Sequence, residues 1–174
     1  MRLRLTRKLQ RVGLMLVMAL GIQLPAFAEG NSLASDEPAR YLSELRKLYL
    51  TNDDRTALLT HSNALLQSYA LRAGYQIGSS APRDLLYSLS LGQPGELLVR
   101  EEVRSEGRLQ VRTVPVNLFG VDPFIRYDCP SHGIVCEIRH PADGSVWLTL
   151  VRDHQGAAEV AKALSFLIRN LQKG

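Results

Sequence analysis

The apolar positions of the chain recur first at intervals of three and four, then at two, then again at three and four. This pattern predicts a helical start, a stranded middle and a closing helix. Between about 37 and 51, Tyr41, Leu42, Leu45, Leu48 and Tyr49 mark one face of a helix, with Arg46 and Lys47 on the other. Asp36 stands where the N-cap of this helix belongs, and Pro38 falls in its first turn, where a missing N–H costs nothing. Asn52-Asp53 interrupts the pattern and offers a new cap for a second helix that runs to about Leu71 and stops before Gly74. Its triplets Ala57-Leu58-Leu59, Ala64-Leu65-Leu66 and Tyr69-Ala70-Leu71 give an apolar face wider than a two-helix contact needs. The two helices are therefore expected to form a hairpin, with the second also packed on a sheet.

Residues 76–83 read as a loop. The stretch 84–91, Asp-Leu-Leu-Tyr-Ser-Leu-Ser-Leu, carries two signals: Pro82 and Gly92 bracket it as a short helix, while Leu85, Tyr87, Leu89 and Leu91 alternate as a strand does. The brackets favour a helix there. From Glu96 the period is two: Leu97, Val99 and Val103 alternate with Arg100, Glu102 and Arg104, and after a turn at Glu106-Gly107, Leu109, Val111 and Thr113 alternate with Gln110 and Arg112. Three further strands are expected at Phe124 to Cys129, Ile134 to Arg139 and Val146 to Arg152, with turns at 130–133 and 141–144. The closing helix, about Gly156 to Leu171, carries the stripe Val160, Leu164, Leu167, Ile168 and Leu171. The expected fold is a two-layer α+β domain, an N-terminal helical hairpin and a C-terminal helix on one face of an antiparallel meander of about five strands.

The first 28 residues stand apart from this pattern. Arg2, Arg4, Arg7, Lys8 and Arg11 precede an apolar run from Val12 to Leu24, and the segment closes on Pro25-Ala26-Phe27-Ala28. That is the order of a cleavable secretory signal, and the run is shorter than the ~20 residues of a membrane span. Neither a cysteine at the cut nor an Arg-Arg pair before the apolar run accompanies it, which favours unfolded export over lipid anchoring or the twin-arginine route. The organisation expected is a signal over 1–28, a flexible lead-in over 29–35 and one domain over 36–174, located in the periplasm or secreted.

Export changes the charge argument. The chain has 21 Lys and Arg against 17 Asp and Glu, a formal +4; removing the five basic residues of the signal leaves 16 against 17, or −1. No basic stripe remains to suit nucleic acid or an anionic membrane.

Cys129 and Cys136 are the two cysteines of the chain, and an even count in an oxidising compartment points to a disulfide across the hairpin turn, worth about 2–3 kcal/mol for so short a loop. The same stretch reads Cys129-x-x-His132-x-x-x-Cys136-x-x-x-His140, four residues able in principle to hold zinc or copper, though a formed bridge leaves only His132 and His140. His132 otherwise reads as a turn residue tolerant of positive φ. No cofactor motif, hydrolase elbow, zinc-protease helix or phosphate loop occurs.

Three further residues stand out. His61 follows Leu58 and precedes Leu65 on the apolar side of its helix, so it is either a hydrogen-bonded residue at the core edge or part of a pocket. Glu101 breaks the buried run from Val99 to Val103, which marks a pocket, a sheet edge or a wet end of the sheet. Trp147 and Val151 lie opposite Val146, Leu148 and Leu150, so whichever set faces inward, the other is apolar for an outer face. The function these features suggest is an exported binding or protein-interaction module with an envelope protein as partner. The alternatives are an envelope hydrolase using His61 with an acid from the sheet, and a metal-binding protein.

Overall fold

The computed structural model describes residues 33–173. The expected signal peptide and the start of the lead-in lie outside the described residues. Helix α1 spans Leu33–Leu48 and begins one turn before the expected Asp36 cap, so that Pro38 lies inside it and residues 33–35 belong to the helix. It ends in a left-handed Leu50 (φ 51°), with Thr51 N–H donating to the carbonyl of Arg46 (3.1 Å) and Leu50 N–H to that of Lys47 (3.4 Å). This closure is usually built on glycine, and it stops the helix at Leu48 although the apolar period continues.

Helix α2 spans Asp54–Ser68, with Asp53 accepting the N–H groups of Arg55 (2.7 Å) and Thr56 (3.2 Å) as the cap the sequence predicted. It ends at Ser68, and Ala70 and Leu71, expected to be helical, are extended. Helix α3 spans His154–Leu171 and is capped by Asp153, which accepts from Gly156 N–H (2.8 Å). No helix among the described residues is long and apolar enough to cross a membrane.

Among the described residues six strands form two antiparallel sheets of three, where one meander of about five was expected. The first holds β1 (Asp84–Leu91), β2 (Glu96–Ser105) and β3 (Arg108–Asn117); the second holds β4 (Tyr127–Asp128), β5 (Val135–Arg139) and β6 (Val146–Val151). The reading of 84–91 as a helix is thus corrected: alternation decides, because Leu85, Tyr87 and Leu89 lie on one buried face opposite Val103, Glu101 and Val99 of β2. The strand expected over 124–129 pairs only at Tyr127 and Asp128. Upstream, Phe124 N–H turns back to the carboxylate of Asp122 (2.9 Å), and Ile125 N–H bonds the Ser165 hydroxyl on α3 (2.9 Å).

A two-residue crosspiece joins the sheets. Leu71 bridges to Leu85 of β1 and Ala70 to Leu150 of β6, with Leu85 N–H donating to Leu71 (2.8 Å) and Val151 N–H to Tyr69 (2.9 Å). Beyond it the sheets part, and side chains close the exposed edges. Asn63 on α2 accepts the N–H of Leu89 (2.7 Å) and donates to its carbonyl (3.0 Å), imitating a strand. The Tyr87 hydroxyl accepts the N–H of Thr149 (3.3 Å).

The core lies among α2, α3 and the inward faces of both sheets, with Leu58, Leu66, Ile138, Leu148, Leu150, Leu164 and Ile168 fully buried in it. Leu148 and Leu150 are therefore the inward set of β6, and Trp147 stands on the other face, half-exposed.

Candidate functional site

The ladder of the first sheet lines up Tyr87, Glu101 and Arg112 in one row across β1, β2 and β3, with Val99 and Val114 in the row beside it. In antiparallel pairing, residues opposite one another share a face, so these five side chains project together. From the second sheet come Val146 and Trp147 at the start of β6, and His140 after β5. Together they line a cleft of about 140 Å³ between the two sheets.

Within it, Arg112 grips the Glu101 carboxylate through Nε (3.1 Å) and a terminal nitrogen (2.7 Å), and the Tyr87 hydroxyl donates to Glu101 (3.3 Å) while accepting from Thr149. Burial pushes the Tyr87 phenol up to about 12, with the Glu101 charge adding to the shift and the Thr149 N–H opposing it. The hydroxyl therefore keeps its proton and its place in the chain of bonds. His140 stands edge-on to Trp147, ring centroids 5.6 Å apart and planes at 78°. An ion pair of a half-buried Glu101 carboxylate with an exposed Arg112 guanidinium thus lies at one side of the cleft, and an aromatic and aliphatic wall at the other.

Two of the three residues singled out in the sequence, Glu101 and Trp147, meet here from different sheets. Glu101, which breaks the buried pattern of β2, lines this cleft. Tyr87 and Arg112 were not foreseen; their signal is the strand pairing itself, since a two-residue turn at Glu106-Gly107 sets Glu101 opposite Arg112.

His61 lies elsewhere. It is half-buried between α1 and α2, with Nδ1 3.0 Å from the Tyr49 hydroxyl and its ring edge-on to Tyr41 at 6.1 Å. Burial lowers its pKa below the ordinary 6.5, with the charge of Glu159 opposing. The carboxylate that influences it therefore comes from α3, not from the sheet, and His61 does not line the cleft.

Cys129 and Cys136 form a disulfide, their Cα atoms 4.2 Å apart. They follow the register of Tyr127 with Ile138 and Asp128 with Glu137, at a non-hydrogen-bonded position where strands approach closest. His132 is exposed in the turn, and the positive φ falls on Gly133 (122°), not on the histidine. His140 instead belongs to the Trp147 cleft, and among the described residues no three His, Cys, Asp or Glu side chains are grouped as a metal would require.

Larger depressions flank the cleft. One of about 440 Å³ shares His140 and is walled by Asp122, Phe124, Arg126 and Asp143; another, about 380 Å³, lies between α2 and β1 beside Arg72 and Arg104. No protein-family model, curated protein or solved structure matches this chain.

Proposed function

We propose that the protein is an exported binding module whose partner is an envelope protein, and that the partner seats one apolar side chain in the cleft beside Trp147. The observation that carries this reading is the meeting of Glu101 and Trp147, from separate sheets, in one small cleft. Its size favours a protein over a small molecule: about 140 Å³ lies well below the roughly 300–1,000 Å³ of ordinary ligand pockets. Its composition has the same bias. Trp, Tyr and Arg are the residues that dominate binding energy at protein interfaces, and here they are Trp147, Tyr87 and Arg112. Around the cleft, Val114, Val146 and Phe124 are exposed apolar residues interleaved with Arg126 and Arg139, which suits a rim. Export rests on the basic, apolar and small-residue order of residues 1–28, and the disulfide is compatible with it.

Residues 29–174 are incubated with an envelope extract under oxidising conditions, beside a Trp147→Ala sample, and captured proteins are then tested in purified form. Trp147 is the single tryptophan, so its fluorescence reports occupancy of the cleft directly. A purified partner that shifts this emission on binding, and binds the variant at least about tenfold more weakly, supports the reading; a truncated hot spot costs more than about 1 kcal/mol. A partner that binds both forms equally, with no change in emission, rejects the cleft as its seat. Export is tested separately: protein recovered from the envelope should begin near Glu29.

A further inference from the structure

The outer edge of β3 is unpaired among the described residues, and the ladder on its other side determines which groups it presents. Leu118 N–H donates to the carbonyl of Gly95 (2.8 Å), in register with the pairing of Leu97 and Val116. The even-numbered residues of β3 thus turn their N–H and C=O groups toward β2, and the odd-numbered residues turn theirs outward. Pro115 belongs to the outward set, so its missing N–H costs the sheet nothing and blunts the edge at that point. Before it, Leu109, Val111 and Thr113 present three successive donor and acceptor pairs to which no described backbone group bonds. Leu109 and Val111 are also 58% and 47% exposed, on the sheet face opposite the Trp147 cleft.

Such an edge is complementary to another extended strand. We infer that its occupant is a second copy of this chain, with β3 antiparallel to β3 about a two-fold axis at Val111. The charges and the proline select that register. An axis at Gln110 sets Arg108 opposite Arg112 of the second copy, and an axis at Arg112 sets that residue against itself; like charges directly opposite are destabilising. An axis at Thr113 brings Pro115 into the ladder opposite Val111. The axis at Val111 avoids all three: Leu109 pairs with Thr113, Val111 with Val111, and Arg112 stands opposite Gln110. The β1–β2–β3 sheets of the two copies then join into one of six strands, and Leu109 and Val111 gain cross-strand neighbours.

The test is sedimentation of residues 29–174, which contain the whole described domain, over a wide concentration range. Wild type should show a monomer–dimer equilibrium. Val111→Pro removes only an outward N–H, as Pro115 does naturally, and Val111→Arg places like charges on the axis; each should weaken association at least about tenfold while circular dichroism of the dilute protein stays unchanged. Gln110→Glu puts a carboxylate opposite Arg112 and should tighten it. Trp147→Ala should leave the equilibrium alone, so this result and the fate of the cleft are read independently. A chain that stays monomeric up to about 1 mM overturns the inference, as does a dimer indifferent to both Val111 substitutions.

Discussion

Thr149 donates its backbone N–H to the hydroxyl of Tyr87 across 3.3 Å, so the edge of one sheet is closed by a side chain of the other. The same hydroxyl reaches Glu101, which Arg112 holds from the next strand. The cleft and the junction of the sheets are therefore one structure, and a change at Tyr87 is felt in both.

Tyr87→Phe keeps the ring and removes the bond. It leaves the Thr149 N–H without its acceptor, and denaturant unfolding should show a loss of about 1–3 kcal/mol. The phenol also predicts an alkaline limit. Its folded pKa of about 12 stands above the ordinary 10.0, so its contribution is complete below pH 10 and disappears as the pH rises toward 12. Tyr41, raised by burial to about 12, adds to the same decline. The Phe variant should lose stability with pH less steeply than wild type across that window, as followed by the denaturation midpoint.

Asn63 offers Leu89 a donor and an acceptor on separate atoms of one planar amide, the arrangement a neighbouring strand would present. Asn63→Ala should cost about 1–3 kcal/mol and speed amide exchange at Leu89. Asn63→Asp retains the acceptor but sets a carboxylate against the Leu89 carbonyl. Its stability relative to wild type should recover as the pH is lowered and the acid regains a proton to donate.

At His61 the sign is opposite to that at Tyr87. Burial depresses its folded pKa below 6.5, so the neutral ring is the one the fold accepts. This contribution is present above pH 6.5 and lost as the pH falls through the folded value. Unfolding measured between about pH 8 and pH 5 should show that decline, and His61→Gln should flatten it. An NMR titration placing the His61 midpoint at or above 6.5 would count against the assignment.

Replacing both cysteines with alanine opens the loop between positions 129 and 136. The chain-entropy estimate for so short a loop is about 2–3 kcal/mol, and the variant's unfolding free energy should be lower by that amount than that of the oxidised protein. The oxidised protein should be sensitive to reductant and the variant should not.

The features legible in the sequence were those set by neighbours. Asp53 acts at a helix start, Glu106-Gly107 turns β2 into β3, and Cys129 meets Cys136 because a hairpin puts them opposite. What was misread depended on distant partners. Leucines between Pro82 and Gly92 satisfy a helix as well as a strand, and only pairing with β2 decides between them. That misreading concealed Tyr87 and, with it, the row to which Glu101 belongs. Arg112 could have been found by counting back from the two-residue turn, since Ser105 opposite Arg108 implies Glu101 opposite Arg112. His140 was legible only as a possible ligand; its approach to Trp147 depends on the irregularity between Ile138 and Arg139 and on the turn beyond.

Each three-stranded sheet joins strands adjacent in the chain, so either can zip from local contacts at little loop-closure cost. The backbone of Tyr69, Ala70 and Leu71 adds a different kind of link, tying residues far apart in sequence through the amides of Leu85 and Val151. Those two protons are protected only while both sheets are seated on the same short segment. Their release into solvent therefore marks the event at which two locally stable halves become, or cease to be, one cooperative folding unit.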